Sequence, residues 1–587
     1  MKKVIHGYYL MLLFSFTLLL TACGSAPPNG DEDFADVLEY IGYAKYTEYT
    51  EDSEDIAYTP EELPIPFAEN PLFLNILEQV DWQVQVDEML IAELNSGIYS
   101  FDAPLVVADP YGMSPLSALA LFISDEPLNI SVYVPGRTEN TSVSFTFDGY
   151  NTRHEIPILG LYPDAQTTVE LTGRTQGGEV RRVTFEVQTE PLPPELEKNI
   201  ILTDLVQPEN YQPGFNFTFR PKAAFDAHGE YRWFYNHFGV LQAAMYDYNG
   251  HMLFAVGAYH HGHALIFEVN MLGKILSVFY SPYGVCHDIA ATDEGNLIVT
   301  GSRGDTIEDF IYEIDVTTGE IVNRLDLKRV LQRTRTGGFM AYENYPDNWF
   351  HHNAIVYDNG SIIVSGRNQS AVVKLSWPEG ELEWILSDHT GWNPMFHNYL
   401  FTPVGAGFEW SRGQHTPTIL HDFDNNPDTM DILLLDNGNA RFLHDGELQR
   451  ALANNEVIWP ERYSRMVHYR INLRTMTIQQ IWQFGKELGE TYFARWGSSA
   501  QMLENGNRLG VFDRHIYYLG EGRGINTNFI EVDSSGNIIW EAYATSTDAM
   551  GTFNAYRGER RPLYTAAAND LRIGVPARVL IPENMLP

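Results

Sequence analysis

From about Pro71 the chain alternates apolar and polar residues with period 2, in short runs separated by turn residues. Segments 128–134 and 143–147 alternate cleanly, 155–164 reads as a strand running into a turn, and 167–171 and 180–187 complete the set. Short alternating strands of this kind predict a small β-sandwich of about 100 residues, which we place at 69–195. The run Pro191-Leu192-Pro193-Pro194 predicts a stiff linker after it.

Beyond residue 196 the texture changes to repeated turn-plus-strand units. Asn-Gly and Asp-x-Gly pairs or their equivalents recur at 247–250, 293–295, 358–360, 436–438, 504–506 and 534–536. They supply the positive φ of tight hairpin turns. Some lead into an apolar strand such as 297–301, others into a more polar strand ending in Trp or Tyr. Alternation of buried inner and exposed outer strands predicts β-propeller blades. At about 60 residues per blade, 196–587 holds six, with five to seven compatible with the spacing. A parallel β-helix is the structural rival, but its repeat is shorter and more regular. No long amphipathic helical tract is read, and 326–333 is at most one short helix. The expected fold is all-β: a six-bladed β-propeller preceded by a small N-terminal β-sandwich.

The first residues change the picture of where the chain resides. Lys2 and Lys3 precede an apolar run at 8–20 that is too short for a stable membrane span. It ends in Leu20-Thr21-Ala22-Cys23-Gly24, the pattern of a bacterial lipoprotein signal. The expectation is that 1–22 is removed, Cys23 is lipidated and 23–68 is an acidic flexible tether. The protein is then exported and lipid-anchored to the cell membrane, at the periplasm or the cell surface. With Cys23 lipidated, Cys286 has no disulfide partner.

The charge narrows the partners. Lys and Arg number 38 against 77 Asp and Glu, a formal net charge of −39. That argues against nucleic acid or an anionic membrane surface. Any anionic substrate needs local Arg and His to overcome this field.

Such residues recur beside apolar strands. Val285-Cys286-His287-Asp288-Ile289, Trp349-Phe350-His351-His352-Asn353, Val364-Ser365-Gly366-Arg367 and Arg412-Gly413-Gln414-His415 are far apart in sequence. Polar groups beside buried strands are costly unless they meet one another or a ligand, and loops at one end of a propeller bring separate blades together. Each residue alone also fits a structural role that joins neighbouring blades. No glycosidase carboxylate pair, Gly-x-Ser-x-Gly elbow, His-Glu-x-x-His motif or phosphate loop is present. Three His and one Arg without carboxylates suit a tetrahedral oxyanion, a nucleophilic nitrogen and protonation of a departing oxygen. No metal and no cofactor are expected. The His260, His261 and His263 turn is assigned to the rim, with a metal role as the alternative.

Here the chain resembles the bacterial arylsulfate sulfotransferases. The resemblance rests on the four segments in order, on Tyr463-Ser464-Arg465, Trp496-Gly497-Ser498-Ser499 and Glu504-Asn505-Gly506-Asn507, and on the 155–164 segment. It implies a propeller enzyme that moves a sulfuryl group from a phenolic sulfate ester to another phenol without a nucleotide donor, by ping-pong transfer. It implies that His415 becomes the sulfohistidine, and that His287, His351 and Arg367 bind the sulfuryl oxygens and assist the leaving phenolate. His352 competes with His351 for one role, although strand alternation points it the other way. Asn353, Trp349, Tyr342 and Trp496 are the candidate substrate-binding residues, with most such aromatics assigned to blade core. A homodimer stays open. The alternative reading is a non-catalytic, surface-anchored binding or scaffold propeller; a quinone-cofactor dehydrogenase lacks its docking repeats here.

Overall fold

The computed structural model describes residues 71–236, 243–335, 347–421, 423–439, 463–515, 525–547, 553–582 and 585. The expected signal segment and tether, with Cys23, lie outside the described residues.

Six sheets of four or five strands follow one another, and these are the six blades of the propeller. Blade III runs Ile289–Ala291, Leu297–Arg303, Thr306–Ile314, Ile321–Asp326, and blade IV runs His352–Asp358, Ser361–Gly366, Ala371–Ser376, Leu382–Leu386. In blade V, His415–Leu420 is innermost, followed by Thr429–Asp436, Arg465–Asn472 and Thr477–Phe484. Blade VI begins at Ser499–Met502. Its outermost strand is Asn199–Leu205, contributed from the start of the propeller, which pairs with Ile538–Ser546. Blade I takes its innermost strand, Gly558–Arg561, from the other end of the chain. The ring is therefore closed at two adjacent blades by strands distant in sequence.

The apolar strands are continuous because both faces are buried between blades. In blade IV, Ile362 and Val364 pack with Ile298 and Ile311 of blade III, while the intervening Ile363 packs with Ile432 and Leu434 of blade V. Period-2 alternation divides one apolar run between two interfaces.

Ahead of the propeller, Ser117–Val134 is one long strand that serves both halves of the N-terminal domain. Residues up to Ile123 pair with Asn151–Leu159, and those from Leu128 pair with Gln166–Thr175.

The segment from Pro71 corrects the expectation of a strand. It is a 25-residue helix, α1 (Pro71–Asn95). Phe73, Ile76, Val80, Gln83, Val86, Leu90 and Leu94 are buried at spacings of three and four, a helical stripe. The helix is anchored to blade II, which runs Ala243–Tyr248, His251–Gly257, Ala264–Val269, Ile275–Ser281, with Arg578–Leu580 at its outer edge. Gln83 exchanges two hydrogen bonds with the Ile275 backbone, at 2.5 and 3.0 Å. Lys274 Nζ reaches Asp87 at 2.6 Å, with both side chains buried. Breaking one partner of a buried pair costs about 3 kcal/mol or more. Lys274→Met is therefore expected to lower the melting temperature by several degrees in calorimetry. The double variant with Asp87→Asn should recover part of that loss, because no unpaired charge remains.

Candidate active site

A ring of hydrogen bonds surrounds the axis. Asp288 of blade III accepts the Ile355 N–H of blade IV at 3.0 Å, and Asn353 of blade IV donates to the Gln414 carbonyl of blade V at 2.8 Å. Arg557, just before the innermost strand of blade I, reaches Asp288 at 2.9 Å and the Ala244 carbonyl of blade II at 2.7 Å.

The chain enters several innermost strands through a residue of positive φ: His287 (66°), His351 (57°), Ser498 (79°) and Tyr556 (54°), with Thr416 (48°) just inside blade V. Non-glycine residues take this conformation at a cost and concentrate at functional sites. Here the turn gathers side chains from blades I, III and IV. The His287 and His351 rings lie 4.9 Å apart, Tyr556 stacks on His287 at 5.7 Å, and Tyr556 meets the His415 ring edge-on at 6.3 Å.

His415 is almost wholly buried, and its Nδ1 lies 2.7 Å from Asn437 Oδ1. The amide nitrogen of Asn437 donates to the Ala494 and Gly497 carbonyls at 2.9 and 3.1 Å. These two bonds fix the amide orientation, so Oδ1 accepts and His415 Nδ1 carries the proton. Nε2 is left as the unprotonated nitrogen with its lone pair. Burial, and then the positive charge of Arg367, hold this imidazole well below its ordinary value. His415 is therefore neutral at physiological pH.

Between His287 and His351 lies a carboxylate, and this corrects the expectation of a cluster without one. Glu308 is fully buried, at φ 56° in the third strand of blade III. It contacts His287 Nε2 at 3.2 Å and His351 Nδ1, and it accepts from Asn348 Nδ2 at 2.8 Å. Burial alone would raise the carboxyl, but the His351 and His287 imidazoles hold it well below the usual carboxylate range. With Nε2–H given to Glu308, His287 accepts at Nδ1 from the Tyr556 hydroxyl, and the Tyr259 hydroxyl lies beside both ring nitrogens, 2.5 Å from Nε2 and 2.9 Å from Nδ1. His287, Glu308 and His351 each place one ligating atom within 4.8 Å of the others, close enough to surround a small cation. The N–H···O contacts account for that spacing without one.

Arg367 follows the second strand of blade IV, and its guanidinium is buried 5.8 Å from the Trp496 ring. Burial, and then Arg495, bring it down to about 10, so it keeps its charge. Arg495 lies 5.2 Å from the centre of the same indole ring. Two guanidiniums at one half-buried tryptophan provide the local positive charge that the acidic chain needs.

The remaining expected residues fall in different places. Asn353 is tied to the strand leading to His415, as above. Trp349 is in the blade interior, with its indole N–H on Asp309 at 2.7 Å and its ring in the apolar cluster, so packing replaces the substrate role expected of it. His352 turns away from the site and meets the Gly301 carbonyl at 3.0 Å. Tyr342 lies outside the described residues. The rim assignment of His260 is also corrected: its Nδ1 is 3.9 Å from Glu308.

Four residues were missed by sequence reasoning: Glu308, Asn437, Tyr259 and Tyr556. A signal existed for one of them. Asn437 directly follows the second strand of blade V, the position that Arg367 occupies in blade IV, but Asp436-Asn437-Gly438 reads as one more hairpin turn.

Comparison with known proteins adds an independent finding. Residues 201–557 match the family model described as arylsulfotransferase, and residues 105–190 match the arylsulfotransferase Ig-like domain. The chain is 25% identical over 552 residues to the arylsulfate sulfotransferase AssT of Lelliottia amnigena, covering 73% of this chain and 88% of that one. It is 24% identical over 549 residues to AssT of Escherichia coli O6:H1 strain CFT073, with the same coverage.

Proposed function

The chain belongs to the arylsulfotransferase family and is an aryl sulfotransferase, and on that premise we propose that it moves a sulfuryl group from a phenolic sulfate ester to a phenol through a covalent intermediate on His415. The observation that carries this reading is the lone pair on His415 Nε2, fixed by Asn437. A neutral imidazole is a competent nucleophile once the oxyanion charge is balanced. His415 Nε2 attacks sulfur, the N–S bond forms, and the S–O bond to the aryl group breaks with its electron pair on the phenolate. The acceptor oxygen then attacks the same sulfur, the N–S bond breaks, and the electron pair returns to His415.

Arg367 holds the sulfuryl oxygens, with its charge in place before the reaction, which is where electrostatic stabilisation is worth most, and His287 and His351 line the same site. Trp496 supports a phenyl ring beside them. Arg367→Lys is expected to cut kcat/KM by about 10²–10³-fold, because a point charge cannot replace a planar fork of donors; steady-state kinetics with a chromogenic aryl sulfate measure it.

The reading is tested by mass spectrometry after brief exposure to an aryl sulfate without acceptor. One added sulfuryl mass is expected on the peptide containing His415, and a labelled peptide elsewhere or no label overturns it. Export and lipid anchoring through Cys23 complete the proposal, supported by the Leu20-Thr21-Ala22-Cys23 motif.

A further inference from the structure

We propose that Glu308 is a positioning residue that turns His351 into the base of the second half-reaction, the one in which the phenolic acceptor gives up its proton and takes the sulfuryl group. The inference rests on the sulfohistidine reading above.

The contacts of the two imidazoles differ. Those of His287 occupy both nitrogens, Glu308 at Nε2, Tyr556 at Nδ1 and the Tyr259 hydroxyl beside both. The described contacts of His351 fall on Nδ1 alone, where Glu308 accepts and the Asn348 amide nitrogen lies at 3.0 Å. A carboxylate behind Nδ1–H fixes the tautomer with Nε2 unprotonated, and it stabilises the imidazolium once Nε2 takes a proton. Glu308 is built for that service. It is fully buried, held by the Asn348 amide at 2.8 Å, and kept at a positive φ within a strand. The other charged or titratable groups facing this pair are His287, His260, His352, Cys286, Tyr556 and Arg367.

Burial holds His351 down at about 3 with Glu308 beside it, and the carboxylate is the strongest influence opposing that burial, so its removal would make the ring a still weaker base. Neutral at rest, the ring is ready to accept. In the second half-reaction the acceptor O–H proton passes to His351 Nε2, the acceptor oxygen bonds to sulfur, and the N–S bond to His415 breaks with its electron pair returning to nitrogen. The proton leaves afterwards to solvent or to the next departing phenolate, so the cycle balances. The donor half-reaction has less need of this base when the leaving phenol is acidic. Glu308 therefore sets the range of acceptors: with it, phenols of ordinary acidity, pKa about 10, are usable.

The test is Glu308→Gln, which keeps shape and removes the charge, assayed with 4-nitrophenyl sulfate as donor and unsubstituted phenol as acceptor. We expect a burst of one nitrophenolate per enzyme followed by a steady rate about 10²–10³-fold below wild type, with the sulfuryl mass accumulating on His415. More acidic acceptor phenols should recover much of the steady rate, and Glu308→Asp should recover part of it. Equal slowing of both half-reactions, or unchanged turnover, overturns the proposal. Should Glu308→Gln fail to fold, the wild type decides by its solvent isotope effect: a normal effect on the acceptor step is expected, and none overturns the role. Absence of a labelled His415 in wild type would instead remove the sulfohistidine reading itself.

Discussion

His415→Asn is expected to abolish sulfuryl transfer, with a loss of at least about 10⁴-fold in kcat from a chromogenic aryl sulfate, or roughly 5.5 kcal/mol of barrier. Asparagine keeps a polar group in the buried pocket, so the fold should survive, and circular dichroism and the melting temperature check that. What disappears is the only uncommitted nitrogen in the described contacts of this ring. His287 cannot substitute, because its nitrogens are engaged by Glu308 and Tyr556. The oxyanion-binding groups remain, so donor binding should persist, and the variant should hold an aryl sulfate without releasing phenol. Wild-type turnover in this variant would rule out the covalent route.

The blade pattern was legible because a strand buried on both faces leaves a continuous apolar run, and a hairpin that needs positive φ leaves Gly. Ile362-Ile363-Val364 followed by Arg367 carries both kinds of information. Helix α1 was misread because its buried stripe includes Gln83 and Asp87, polar residues whose place on the apolar face makes sense only once the Ile275 backbone and Lys274 are known. Local pattern cannot show a partner that lies nearly 200 residues away.

The site follows the same logic. His287, His351, Arg367 and His415 stood out since histidine and arginine are conspicuous beside apolar strands. Glu308 did not, because the adjacent acidic pair in Thr306-Ile307-Glu308-Asp309 looks like an ordinary strand edge following a turn. Its burial is a tertiary fact, produced by blade IV turning His351 and Asn348 toward blade III. The same is true of Tyr556, which reaches His287 from the far end of the chain only because blade I is closed by a C-terminal strand. Residues contributed from the closure of the ring are the ones that sequence order hides most completely.

Asn437 carries the second of the large expected effects, and two substitutions separate its two consequences. Asn437→Leu removes the acceptor from His415 Nδ1 and both donors to the Ala494 and Gly497 carbonyls. The ring is then free to carry its proton on Nε2, where the lone pair is needed. A wrong tautomer in a comparable hydrogen-bonded histidine costs about 10⁴-fold, and we expect about 10³-fold in the rate of His415 labelling, with donor affinity little changed. Asn437→Asp keeps an acceptor but adds a buried negative charge. An anion at this distance favours the imidazolium and raises His415 from its depressed position. In wild type His415 stays neutral throughout the neutral and mildly acidic range, so labelling should not lose its nucleophile there. In Asn437→Asp protonation of His415 begins at higher pH, so the acid limb of the labelling profile moves upward and activity recovers as pH rises. Superimposable acid limbs in the two proteins would mean that Asn437 does not govern the protonation of His415.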